Sequence, residues 1–221
     1  MHNRFKGVDF AQLPEYNLDS WLNPASPKYI QELHQAIFYY QARTIKTERL
    51  QVCIQLKEMK VAAWKYTHDN QMILDGTFGI SDTRLLLFIA LGIDDSGKGI
   101  PLVFFLFSAP TGNQATHAGY DSSILTEVLR AWVSSMGVEK GNTFARKLVI
   151  TDTDMKERAA LHMVWPTALL LLCKFHVRTC WANKRKNVLK MGNALTFTRS
   201  RSKSGCVNWS KGATSLFLNY Y

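Results

Sequence analysis

Two aspartates stand at the ends of apolar runs. Asp75 lies within or at the end of Met72-Ile-Leu-Asp-Gly-Thr-Phe78, and Asp152 closes Leu148-Val-Ile-Thr-Asp152. A carboxylate buried there without a partner costs on the order of several kcal/mol, so a metal, a cation or water normally sits beside it. Two such carboxylates brought together repel, and Mg2+ or Mn2+ relieves the repulsion. Paired divalent ions in turn serve in-line phosphoryl displacement, one activating the nucleophile and the other stabilising the leaving oxygen. Spacing alone leaves a second pair of roles open: Asp75 as the start of an Asp-Gly turn, Asp152 as the cap of the next helix. Cys173-Lys-Phe-His176 supplies at most half of the four ligands of a structural zinc. Cys180, Cys206, His162 and His117 match no zinc template with it, so a buried Cys and a packed His at a strand-helix junction are expected. Asp95-Ser-Gly-Lys-Gly99 lacks phosphate-loop spacing and leads into a strand, which makes it a hairpin turn. Trp132, Trp165 and Trp181 are assigned to packing rather than to base stacking.

Periodicity supplies the elements that would position these residues. Residues 1–26, with Pro14, Pro24 and several Asn, Asp and Ser, read as an irregular lead-in. From Pro27 to about Tyr66 the pattern is helical: Ile30, Leu33, His34, Ile37 and Phe38 recur behind a Ser26-Pro27 start, and Leu50, Ile54, Leu56 and Val61 continue less cleanly. Three β-prone runs follow, Gln71–Phe78, Arg84–Ile93 and Ile100–Ser108. Their connections are too short for a crossover helix, which predicts an antiparallel meander. Asp121 is set to cap a helix that closes at Gly137. Lys147–Asp152 is a buried strand, and Asp154-x-x-Glu157 has the form of a capping box opening a helix that stops before Pro166. Ala168–Cys173 is a further strand, with a basic helix after it to about Lys190. The order β-β-β-α-β-α-β-α predicts an α/β fold: a mixed five-stranded sheet flanked by helices, preceded by an N-terminal helical segment. The expected divisions are 1–69, irregular and helical; 70–190, the sheet domain; and 191–221, a basic tail predicted to be poorly ordered.

Composition narrows the function classes. Hydrophobic residues are 47% and charged residues 20%, ordinary for a globular chain. No run approaches the ~18 apolar residues of a membrane span, and the N-terminus lacks the apolar segment of a secretory signal. A soluble intracellular protein with no membrane partner is expected, its four scattered cysteines reduced. The net charge of +10 is unevenly placed. Eleven Lys or Arg and no Asp or Glu lie between Arg158 and Tyr221, whereas residues 1–157 hold 16 bases and 17 acids. Such a segment faces phosphates or is a solvated basic tail, and Lys184, Arg185, Lys186 and Lys190 are the candidate DNA contacts.

The ordered pieces Asp75-Gly-Thr-Phe, Leu148-Val-Ile-Thr-Asp-Thr-Asp, Val164-Trp-Pro and Leu172-Cys-Lys-Phe-His-Val177 resemble the Mutator-like (MULE) transposase domain over roughly residues 70–190. The resemblance implies a ribonuclease H-like fold and DDE-type chemistry, the metal-dependent hydrolysis and transfer of DNA strands during transposition. It implies that Asp75 and Asp152 lie on neighbouring strands as catalytic acids binding Mg2+ or Mn2+, and that Asp154 caps a helix. It makes Cys173 and His176 a structural hallmark, DNA the partner, a homo-oligomer possible and the nucleus the working compartment, or the cytoplasm if the function is lost. The family triad ends in a Glu well beyond the Cys-x-x-His, yet no acid follows Glu157. The expectation is therefore a fragment, truncated, decayed or cut short in its gene prediction, that is inactive alone, or a non-catalytic DNA-binding or regulatory derivative. Leu74-Asp-Gly-Thr-Phe78 is also similar to the Asp-x-Asp-Gly-Thr opening of haloacid-dehalogenase-like phosphatases. The nucleophile's place is held there by Ile73, which cannot attack phosphorus.

Overall fold

Apolar runs become strands and runs of mixed polarity become helices in the computed structural model, which describes residues 14–43, 48–78, 85–109 and 120–190. Two short helices come first, α1 (Pro14–Leu22) and α2 (Gln31–Ala36), then β1 (Ile37–Gln41) and β2 (Gln51–Ile54). Helix α3 (Lys57–Thr67) leads into the meander β3 (Gln71–Phe78), β4 (Leu85–Ile93) and β5 (Gly99–Ser108). Helix α4 (Ser122–Met136) and a hairpin of β6 (Val138–Glu139) and β7 (Asn142–Thr143) precede β8 (Leu148–Thr151). Then come α5 (Met155–Val164), β9 (Leu169–Leu172) and α6 (Lys174–Lys190). The chain divides into two compact units, one ending at Cys173 and the other beginning at Lys174. The expected tail, 191–221, lies outside the described residues.

The main sheet is mixed, and its order β1-β2-β5-β4-β3-β8-β9 is compatible with a ribonuclease H-like fold. Neighbours β3–β4 and β4–β5 pair antiparallel, as their short connections require, whereas β8 runs parallel to β3 and β9 parallel to β8. The sheet has seven described strands rather than the five expected. The two additions come from the segment read as helical. Ile37 and Phe38 lie in β1, and Val52 to Ile54 in β2, which pairs with β5 through Cys53↔Phe105. Aromatic and β-branched residues dominate both stretches, and burial against a ready sheet edge outweighs a loose helical period. Of the helical pattern expected from Pro27 to about Tyr66, the six residues of α2 and most of α3 remain, and α1 forms within the lead-in read as irregular.

One face of the sheet carries the core. In β4 the residues Leu86, Phe88 and Ala90 are buried while Leu85, Leu87 and Ile89 are half-buried, the alternation of a pleated strand with one well-covered side. Helix α4 meets that side with Leu125, Val128, Leu129 and Trp132, none of them exposed. Its start is set by Asp121, whose carboxylate accepts from the Ile124 N–H at 3.0 Å, and it closes at Gly137 with φ of 69°. Phe88 stacks on Phe107 at 5.6 Å and meets Tyr120 edge-on at 5.1 Å. Such contact leaves no room on β3: a Cβ at Gly76 would come within 2.8 Å of the Phe88 ring. Arg146 is buried beside this core, its guanidinium 3.5 Å from the Phe144 ring centre and donating to the Thr67 and Ala145 carbonyls. Burial holds it well below the usual arginine pKa.

Candidate active site

Parallel pairing of β3 with β8 sets the frame of the site. Ile73 is the partner of Ile150, so Asp75 lies two residues farther along β3 and Asp152 the same two residues past Ile150, one beyond the end of β8. Side chains alternate with a period of two, and register partners on adjacent strands are about 4.8 Å apart. The two aspartates therefore fall at one level and on one face. Asp75 is half-buried inside β3, paired across to Ile89, and the strand continues through Gly76 to Phe78. It does not open an Asp-Gly turn. Asp152 is 9% exposed just beyond β8, and its Oδ1 accepts from the Asp154 N–H at 2.5 Å. The helix cap is Asp154 instead, accepting from the Lys156 N–H at 2.9 Å.

Glu157 is the site residue that sequence reasoning misplaced. The capping-box pattern sends its side chain back toward Asp154. In the fold it turns inward, 1% exposed, where its carboxyl meets the Thr151 hydroxyl and the Asp152 backbone N–H. A signal was present: Glu157, Ala160 and Leu161 are the buried residues of α5, at the i, i+3, i+4 spacing of an inward stripe. Burial pushes the Glu157 carboxyl up to about 8, opposed by the Thr151 hydrogen bond and reinforced by the charges of Asp152 and Asp75. Thr151 and Asp152 are consecutive, so by strand alternation Glu157 reaches Thr151 on the face opposite Asp152. It is near enough to feel both aspartates without joining them.

A second network braces the turn after β8. The Tyr120 hydroxyl donates to Asp154 Oδ2 at 2.8 Å, and Lys156 Nζ donates to the Tyr120 carbonyl at 3.0 Å. Burial, then the bond to Asp154, raises the Tyr120 phenol far above its usual range. Nothing in residue spacing announces this contact, because Tyr120 and Asp154 are 34 positions apart.

Carboxylate oxygens are the donors that Mg2+ or Mn2+ prefers. In number they fall short: among the described residues no group of three His, Cys, Asp or Glu could hold a metal ion. Two aspartates alone do not supply the ligands of a two-ion centre. Of the Cys-x-x-His pair, Cys173 follows β9 with its N–H donating to the Thr151 carbonyl at 2.6 Å and is half-buried rather than buried as expected, and His176 lies in the first turn of α6. Lys184, Arg185 and Lys186 are exposed on α6; Lys190 ends that helix, and its side chain lies outside the described residues. Trp132 and Trp165 are buried as expected, but Trp181 is 62% exposed. Its assignment to packing is wrong, because α6 has bases where an apolar stripe would have to continue.

Among the described residues no helix is long and apolar enough to cross a membrane. No curated protein matches the chain. Residues 71–179 match the family model of the MULE transposase domain, a span running from the start of β3 into α6.

Proposed function

We propose that this chain, with a MULE transposase domain over residues 71–179, derives from a DDE-type transposase and acts on DNA. The reaction of such a core is metal-dependent hydrolysis and transfer of phosphodiester strands, with Asp75 and Asp152 as the two acids that hold Mg2+ or Mn2+. The observation that supports this reading is the parallel β3–β8 register, which carries the two aspartates to one level of one face. With two acids at hand and Glu157 engaged elsewhere, the chain by itself cleaves DNA little or not at all. A second reading, a non-catalytic DNA-binding or regulatory derivative, draws on the acid-free basic segment after Arg158. Either derivative works on DNA in the nucleus, where it can form a homo-oligomer; a chain that has lost the function stays in the cytoplasm.

The test needs no turnover. Millimolar Mn2+ or Mg2+ should raise the melting temperature of the parent protein, with roughly 1.4 kcal/mol of stabilisation at ten times the dissociation constant. Asp75→Asn and Asp152→Asn should each abolish the shift. An equal metal response in all three proteins would remove the two aspartates from any metal site. Plasmid nicking under the same conditions separates the two readings: cleavage lost in Asp75→Asn supports the enzyme, and binding without cleavage supports the derivative.

A further inference from the structure

Of the two exposed aromatics on α6, Phe175 and Trp181, the second lies in a pattern of its own. At 100° per residue, Lys174, Arg178, Trp181 and Arg185 fall within about 60° of arc, a single stripe along the helix. All four are exposed, and Trp181 is 62% so. At 1.5 Å of rise per residue the stripe is about 16 Å long, with Trp181 between the two arginines. The helix as a whole carries six Lys or Arg and no acid. A partner docking through apolar contact would need more than one aromatic on that face. A cation-aromatic-cation row without an acid is complementary to a polyanion that also offers flat apolar groups.

We infer that this face of α6 is a platform for single-stranded DNA: Lys174, Arg178 and Arg185 follow the phosphates, and the Trp181 indole stacks on one unpaired base. The inference rests on the DNA-acting reading above and deepens it by naming the form of DNA. Double-stranded DNA satisfies the cations but not the indole, because its bases already stack on one another. An unpaired base offers a free π-face, and such stacking is tolerant of sequence. The stripe length matches four to five nucleotide steps at about 3.4 Å each.

The experiment uses the full chain, with fluorescence anisotropy on a labelled oligothymidine and on a duplex of equal length across a salt series. Trp181→Ala should weaken single-strand binding roughly tenfold, with the slope of log affinity against log salt unchanged. Trp181→Phe should restore most of the loss, and the duplex affinity should not move. Arg178→Ala should reduce the single-strand slope by about 0.7, the share of one phosphate. Equal loss on both DNAs, or none on either, overturns the platform and leaves the DNA-acting reading standing. If the parent binds neither DNA, both readings fall together. Capture by anionic vesicles in place of the oligonucleotide overturns the platform as well.

Discussion

A carboxyl group that titrates near pH 8 in the fold and near 4.5 unfolded makes stability depend on pH with a definite sign. The folded state binds the Glu157 proton more tightly, so this group's stabilising contribution is complete below about 4.5 and is lost as pH rises toward 8. Glu157→Gln keeps the acceptor for the Thr151 hydroxyl and removes the titration. The variant should match the parent at pH 4 and exceed it at pH 8, by on the order of a few kcal/mol at 1.4 kcal/mol per pH unit. Urea midpoints across that range check it. Parallel pH profiles for the two proteins would mean that the carboxyl is less confined than its contacts indicate. The same residue shows where sequence reasoning stops. Asp75 and Asp152 stood out in the sequence because an acid inside an apolar run is conspicuous. Glu157 was hidden by a local pattern, Asp-x-x-Glu, that explains an acid equally well without burying it.

At the scale of elements, β3 and β4 are packed tightly at Gly76. An alanine methyl there would sit 2.8 Å from a ring that is itself stacked and fully buried. Gly76→Ala should therefore destabilise by about 1–3 kcal/mol, the range for overpacking a filled core. Gly76→Ala with Phe88→Leu should recover part of the loss, and a double-mutant cycle of urea midpoints reads the coupling. The meander and its helix were readable because local rules agree there. Strand alternation, the short Asp94–Lys98 turn and the Asp121 cap all favour the same outcome. Strands β1 and β2 were not readable, because their reason for being strands is the edge of β5, some 50 residues away. Tertiary burial decided those elements, and no window of local sequence contains it.

Charge and topology are properties of the whole molecule. The surplus of bases begins only after Glu157, so the protein is electrically two-sided along its length. Replacing Lys184, Arg185 and Lys186 together by alanine should lower the salt slope of duplex binding by up to about 2.7, at 0.9 per phosphate. The melting temperature should stay where it was, since all three are exposed. An unchanged slope would make them solvated bystanders. The sheet order also has a consequence in time. Strand β2 pairs with β5 through Gln51↔Phe107, partners separated by 56 positions. On a ribosome adding about 5–20 residues per second, the β1–β2 pair is made roughly 3–11 seconds before the edge that will receive it. A lone two-stranded hairpin is marginal in water, so Val52 and Cys53 spend that interval uncovered. The delay makes the newborn chain, rather than the finished protein, the species most in need of a chaperone.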